Sequence, residues 1–268
     1  MLIQTGDYYG LTAISEFKGV AIYFNYILKD VLGLYVPDFF QWKVERVEYA
    51  ADVPVREDLI PKYLFLFKKG NIPDYFLENK VTQQYWTSET NCYLMATSIT
   101  ANWYNRFETL LIKEQSSKKK YTDFSKTRGI LRFETQYRVC EGTVIDYLDS
   151  NRAEKEIMKF YKLIVGNGDY YTLDMAIQLI RSKVGHFQKR LALERLITLI
   201  AESSGVWHAK EIFLQGKNKH CAADEFSKRL NQLRKMGINP VVLPPEWGMS
   251  KLENLFDRIK VSIEVGQV

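Results

Sequence analysis

Residues 129–138 read GILRFETQYR. In an extended chain successive side chains point to opposite faces, so Leu131, Phe133 and Tyr137 share one side and Arg132, Glu134, Gln136 and Arg138 the other. The same division occurs twice upstream. In WKVERVEYAADV (42–53), Val47, Tyr49, Ala51 and Val53 oppose Arg46, Glu48 and Asp52; in 101–110, Trp103 and Phe107 oppose Asn102, Tyr104, Arg106 and Glu108. Such alternation implies antiparallel strands with one buried and one polar face. If the three strands are neighbours, helices cover the apolar face, and carboxylates, arginines and a tyrosine converge on the open one. Any solvated sheet face shows the same alternation. The repeated Arg-x-Glu at Arg46–Glu48 and Arg132–Glu134, with Tyr104, Arg106 and Glu108 at the same spacing between them, marks this face as a candidate site. Acidic side chains on adjacent strands suit a hard, oxygen-ligated Mg2+ or Mn2+ ion, and a tyrosine beside such an ion suits a nucleophile.

Around these strands, residues 16–32 carry apolar side chains at three- and four-residue spacing, with Ser15 before and Gly33 after, and predict an amphipathic helix that needs a sheet to cover. Residues 57–69 predict a helix with Pro61 in its first turn. Asn91–Met95 predicts a further strand, joined to the next by a Thr97-Ser98 turn. From about residue 141 the pattern is helical, over 141–149, 152–164, 173–183, 187–203, 207–214 and 222–236, the last closed by Gly237. The expected fold class is α+β: an antiparallel sheet with helices on one face in residues 1–140, followed by a helical domain in 141–268.

Composition narrows the function. Residues 150–268 hold 19 Lys+Arg against 13 Asp+Glu, a balance of +6, so with +5 overall the first half is near −1. A basic second half suits a polyanion. Cys92, Cys140 and Cys221 are far apart and lack metal spacing, and His186, His208 and His220 form no spaced pair, which argues against a disulfide framework, a zinc site or a histidine-based hydrolase. No window approaches the roughly 20 apolar residues of a membrane span, so the expected location is cytoplasmic, with no membrane partner.

The segments VERVEYAADV (44–53), NWYNRFETL (102–110) and GILRFETQYR (129–138) resemble, in order and spacing, strands of the gene II and X replication initiators of filamentous phages and related plasmid initiators. That family has an Arg-hydrophobic-Asp strand, a Tyr-x-Lys-x-x-Glu strand and an Arg-Phe-Glu strand. FSKRLNQLRKMGINPVVL (226–243) is similar to the family's closing helix, so the resemblance covers most of residues 42–243. It implies a catalytic domain like that of the HUH initiators and relaxases without their His pair, and rolling-circle initiation by DNA nicking and joining through a 5′-phosphotyrosine. It further implies Tyr104 as nucleophile, Glu48 and Glu134 as metal ligands with Asp52 and Glu108 beside them, and Arg132 and Arg106 on phosphates. Glu48 stands where the family usually has Asp, and Arg106 where it has Lys. The implied partners are single-stranded or supercoiled origin DNA and a host helicase.

Two further segments are expected to touch DNA. Lys118, Lys119 and Lys120 lie in the polar loop QSSKKKYTDFSKTR (115–128) and could track a backbone. On the last helix Phe226, Leu230 and Leu233 would face the core and expose Lys228, Asn231, Gln232 and Lys235, residue types that hold phosphates or read bases. The lengths of the last three helices are compatible with a helix-turn-helix or winged-helix module. The rival readings are a non-cleaving DNA-binding regulator with the initiator fold, a conjugative relaxase, and a metal-dependent phosphoesterase. The first is favoured by the start of the chain, only about 40 residues before the Arg-Val-Glu strand.

Overall fold

The computed structural model describes residues 10–116, 124–216 and 218–264. Its architecture is α+β. The helices are α1 (Ile14–Tyr26), α2 (Ile60–Lys68), α3 (Asp74–Leu77), α4 (Lys80–Gln84), α5 (Arg106–Ser116), α6 (Val144–Tyr147), α7 (Ser150–Ile164), α8 (Leu173–Lys183), α9 (Phe187–Glu202), α10 (Val206–Leu214), α11 (Lys219–Lys235) and α12 (Phe256–Glu264). The strands are β1 (Val47–Pro54), β2 (Asn91–Met95), β3 (Ile99–Asn105), β4 (Ile130–Tyr137) and the two-residue pair β5 (Tyr170–Tyr171) and β6 (Lys251–Leu252). Contacts divide the chain into two compact units, one of residues 1–61, 79–159 and 258–268, the other of 62–78 and 160–257.

The first unit is built on a four-stranded antiparallel sheet in the order β1-β4-β3-β2. The three strands read from alternation are therefore true neighbours, with β4 in the middle. Their apolar row is buried: Tyr49, Ala51 and Val53 from β1, Leu131 and Phe133 from β4, Ala101 and Trp103 from β3, Cys92 and Leu94 from β2. Trp103 and Phe133, paired in register, meet with ring centroids 5.7 Å apart. The Tyr49 hydroxyl donates to the Tyr147 carbonyl oxygen on α6 (3.0 Å), and the Tyr137 hydroxyl donates to Glu156 on α7, so these helices close that face. Gly129, at φ +70°, starts β4 where the Val55 amide donates to its carbonyl (2.7 Å), and a Cβ there would meet the Val55 oxygen at 2.9 Å. Glycine alone suits that approach.

Two expectations need correction. The extended stretch predicted over 101–110 stops at Asn105, because the Asn105 side-chain oxygen accepts from the Glu108 amide (3.2 Å) and caps α5. Arg106 and Glu108 thus belong to a helix, and the polar row of β3 ends at Tyr104. The helix predicted over 16–32 becomes α1 with a π turn over 27–31, and its rings pack on a 3-10 turn at Phe39–Gln41 and on Trp42. Within α1 only Ala21 is fully buried.

In the second unit, α8 to α11 fall within a few residues of their predicted spans. Leu193, Leu196, Ile197 and Ile200 of α9 and Phe226, Leu230 and Leu233 of α11 are buried, and Phe213 of α10 meets Phe226 at 5.4 Å. Gly237 closes α11 at φ +73°, in the left-handed conformation that a glycine adopts freely after a helix.

Candidate functional site

Register fixes what the polar face brings together. Asp52, Arg132, Tyr104 and Asn91 form one row across β1, β4, β3 and β2; Ala50, Glu134, Asn102 and Tyr93 form the next; Glu48, Gln136 and Thr100 begin a third. Five of the seven predicted catalytic and metal-binding residues, Glu48, Asp52, Tyr104, Arg132 and Glu134, therefore share one face on adjacent strands.

Their hydrogen bonds sort them into roles. The Tyr104 hydroxyl donates to Glu134 Oε1 at 2.5 Å, and Arg106 Nη1 reaches the same hydroxyl at 3.3 Å from the first turn of α5. Leaving the strand has not removed Arg106 from the site, since the turn into α5 carries it back over the phenol. Arg132 holds Asp52 with two bonds of 2.6 Å, Nε to Oδ1 and Nη2 to Oδ2, while its Nη1 lies 3.9 Å from Glu134 Oε1. Glu48 accepts from Gln136 Nε2 (2.8 Å) and Arg46 Nη2 (3.3 Å). Glu108 stands on α5, not on the sheet.

Burial sets the electrostatics. Tyr104 is 5% exposed. Desolvation, followed by the negative charge of Glu134, pushes its phenol well above the ordinary tyrosine range, against the pull of Arg132 and Arg106. Glu134 is raised above the usual carboxylate range, first by burial and then by repulsion from Glu48. For Arg132, burial works against the cation, but its hydrogen bonds to Asp52 and the negative charge there outweigh that and hold it above its ordinary value. The side-chain carbonyl oxygens of Asn91 and Asn102 are buried without a hydrogen-bond donor. Asn102 lies opposite Glu134 and Asn91 opposite Tyr104.

The donor set narrows the metal expectation. Among the described residues no cluster of three or more His, Cys, Asp or Glu side chains is placed to hold an ion. Asp52 is committed to Arg132, which leaves Glu48 and Glu134, close enough for their charges to repel. Mg2+ commonly takes one or two protein carboxylates and keeps its waters, so Glu48 and Glu134 are the two acids of this face left for that expectation, with Asn102 opposite Glu134 on β3.

A cavity of about 690 Å3 lies at the β1 edge of the sheet, lined by side chains of this face and, from the opposite side, by Tyr49 and by Val144 and Tyr147 of α6. Glu48, Arg132 and Glu134 line its sheet side, and Phe17 of α1 with Phe39, Trp42, Lys43 and Arg46 lines the other. The expectation of an open polar face is thus corrected at that edge, which the N-terminal segment walls. Sequence reasoning missed this wall, although Asp38 before two phenylalanines is a turn signal. It also missed the helix start, which Asn105-x-x-Glu108 spells as a cap with an acidic residue three positions on. A second tyrosine–carboxylate pair, Tyr137 and Glu156, lies beside a smaller cavity of about 350 Å3, where burial pushes Tyr49 up to about 12.

In the other unit, Lys228, Asn231, Gln232 and Lys235 are exposed on α11 as expected, opposite its buried stripe. Lys118, Lys119 and Lys120 lie outside the described residues. No described helix is long and apolar enough to cross a membrane. Comparison of the chain with protein-family models, curated proteins and solved structures finds no match to any of them.

Proposed function

We propose that this chain nicks and rejoins single-stranded DNA through Tyr104, as the initiating enzyme of rolling-circle replication. One observation carries the reading: the Tyr104 hydroxyl is directed at Glu134 at 2.5 Å with Arg106 on its other side at 3.3 Å. A nucleophile, a base and a cation for phosphate are the three groups that transesterification at phosphorus asks of side chains. Glu134 removes the phenolic proton, and its own raised proton affinity makes it a stronger base than a solvated carboxylate. The phenolate oxygen bonds to phosphorus, the bond from phosphorus to the 3′ oxygen breaks, and that oxygen leaves as a 3′-hydroxyl after taking a proton from water. The product is a 5′-phosphotyrosine, and the reverse reaction rejoins strands. Arg106 stabilises charge on the transferring phosphate, while Arg132, held by Asp52, adds positive potential beneath Glu134. Glu48 and Glu134 are the residues that would hold Mg2+ or Mn2+, which when bound supplies further charge neutralisation at the phosphate. On this reading the first unit is an initiator-type catalytic domain and the second is winged-helix-like, with the exposed face of α11 taking duplex origin DNA and a host helicase following the nick.

A second reading, a regulator that binds DNA without cutting it, is favoured by the burial of Tyr104, which does not line the cavity. Incubation of the wild-type protein with Mg2+ or Mn2+ and a labelled pool of random single-stranded oligonucleotides separates the two. A covalent adduct that survives denaturing electrophoresis and maps by mass spectrometry to the Tyr104 peptide is the expected result. DNA binding with no adduct favours the regulator, and an adduct on another tyrosine refutes the assignment of the nucleophile.

A further inference from the structure

The cavity at the β1 side of the sheet has two unlike walls. One is aromatic: Phe17, Phe39 and Trp42. The other runs over the β1 edge of the sheet, with Glu48, Arg132 and Glu134 from the polar face and Tyr49 and Tyr147 from the opposite side, and Lys43, Glu45 and Arg46 lie between the two along the chain. Its volume of about 690 Å3 falls within the roughly 300–1,000 Å3 of small-molecule sites. The lining balances Lys43, Arg46 and Arg132 against Glu45, Glu48 and Glu134, with Arg46 bonded to Glu48 and Arg132 to Asp52. Such a space suits a ligand with a flat apolar body and a polar end that can reach Lys43.

The aromatic wall is held in place by polar contacts. Asn25 of α1 donates through Nδ2 to Asp38 Oδ1 (2.9 Å) and accepts from the Phe39 amide (2.7 Å), while Asp38 also accepts from the Phe40 amide (3.0 Å). Trp42 Nε1 donates to the Pro37 carbonyl oxygen at 3.0 Å. Phe39 and Trp42 meet edge-on at 5.3 Å, and each is met edge-on by Phe24 at 5.2 and 5.9 Å. Yet Trp42 remains 37% exposed and lines the cavity. A large aromatic ring fixed by its own N–H and left with an uncovered side is a stacking platform.

We propose that this cavity takes one unstacked nucleotide of single-stranded DNA, its base against Trp42 and Phe39 and its phosphate toward Lys43 and Arg46, away from Glu48 and Glu134. The inference rests on the nicking proposal and deepens it: the bound nucleotide flanks the scissile phosphate, so an aromatic platform places the strand. Because every base has a π face, the platform selects single strands over duplex and carries little sequence preference.

The test uses a short oligothymidylate with one 2-aminopurine, whose fluorescence changes on stacking. Wild-type protein should change that fluorescence. Trp42→Ala, and Phe39→Leu as a variant that keeps an apolar side chain, should abolish the change and weaken binding roughly five- to a hundredfold, the range of one base–aromatic stack. The slope of log affinity against log salt should stay as in the wild type, since no phosphate contact is lost. Far-ultraviolet circular dichroism of both variants should match the wild type. If the wild type binds the oligonucleotide without a fluorescence change, or both variants bind as tightly as it does, the cavity does not hold the base. The Tyr104 adduct is read separately from the random pool. An adduct without the fluorescence change overturns this inference alone, the change without an adduct overturns the nicking reading alone, and the loss of both overturns both.

Discussion

Asp52→Ala is expected to destabilise the fold by about 3–5 kcal/mol, the cost of removing one member of a buried ion pair. Asp52 and Arg132 face each other in register across β1 and β4 and are joined by two bonds of 2.6 Å, with the Arg132 side chain only 6% exposed. Without Asp52 the guanidinium stays in the same desolvated place and loses the carboxylate that matches its fork. The exposed pair Arg56–Asp58 has a similar bidentate geometry, yet Asp58→Ala should cost far less than Asp52→Ala, because solvent already screens it. Replacing both partners, Asp52→Leu with Arg132→Met, should lie much closer to the wild type than Asp52→Ala, since no charge is then stranded. Urea melts of the four proteins at constant m give these differences. Equal losses for Asp52→Ala and Asp58→Ala would show that the pair contributes no more than a surface contact.

The residues differ in how far sequence alone could place them, for physical reasons. The two-residue period is local, so the buried row of Tyr49, Ala51, Leu131, Phe133 and Trp103 and the polar row opposite were readable, as was the buried stripe of Phe226, Leu230 and Leu233 on α11. Register is not local. Asp52 and Glu48 look alike as acids on one strand, and only the pairing of Asp52 with Arg132 and of Glu48 with Gln136 removes the first from the metal expectation. Residues 106–110 satisfied two patterns at once: Phe107 keeps the parity of Trp103, and Phe107, Leu110 and Leu111 also fall at helical spacing. The Asn105 cap decides between them. For α1, periodicity exposed an apolar stripe but could not name its partner. The partner is the aromatic turn at 39–42, and the wall that it makes with α1 created the cavity. Long-range grouping was likewise hidden: residues 62–78 belong with the later helices, where Phe67 meets Tyr161 at 5.8 Å, nearly a hundred positions on.

Glu134→Gln should separate stability from chemistry at a single atom. Burial and the charge of Glu48 raise the folded carboxyl above its ordinary range, so folding favours its protonated form. That contribution is fully present below the unfolded pKa and is lost as pH rises through the folded one. Glutamine is neutral throughout and its amide oxygen can still accept from Tyr104, so it escapes the loss. Thermal melts should therefore show the variant gaining on the wild type as pH rises from about 4 to 7, and converging with it at the acid end, where a glutamate is itself protonated. Activity should move the other way. If Glu134 takes the Tyr104 proton, its removal should slow adduct formation about 10²- to 10⁴-fold, the usual worth of a general base, in protein that is no less stable at neutral pH. A variant that is both slower and less stable there would mean that Glu134 supports the fold through its charge. One as fast as the wild type would mean that the phenol finds another base. The buried row beneath is common to all these outcomes, so the comparison isolates the carboxylate, the group through which the Tyr104 hydroxyl is linked to the cavity.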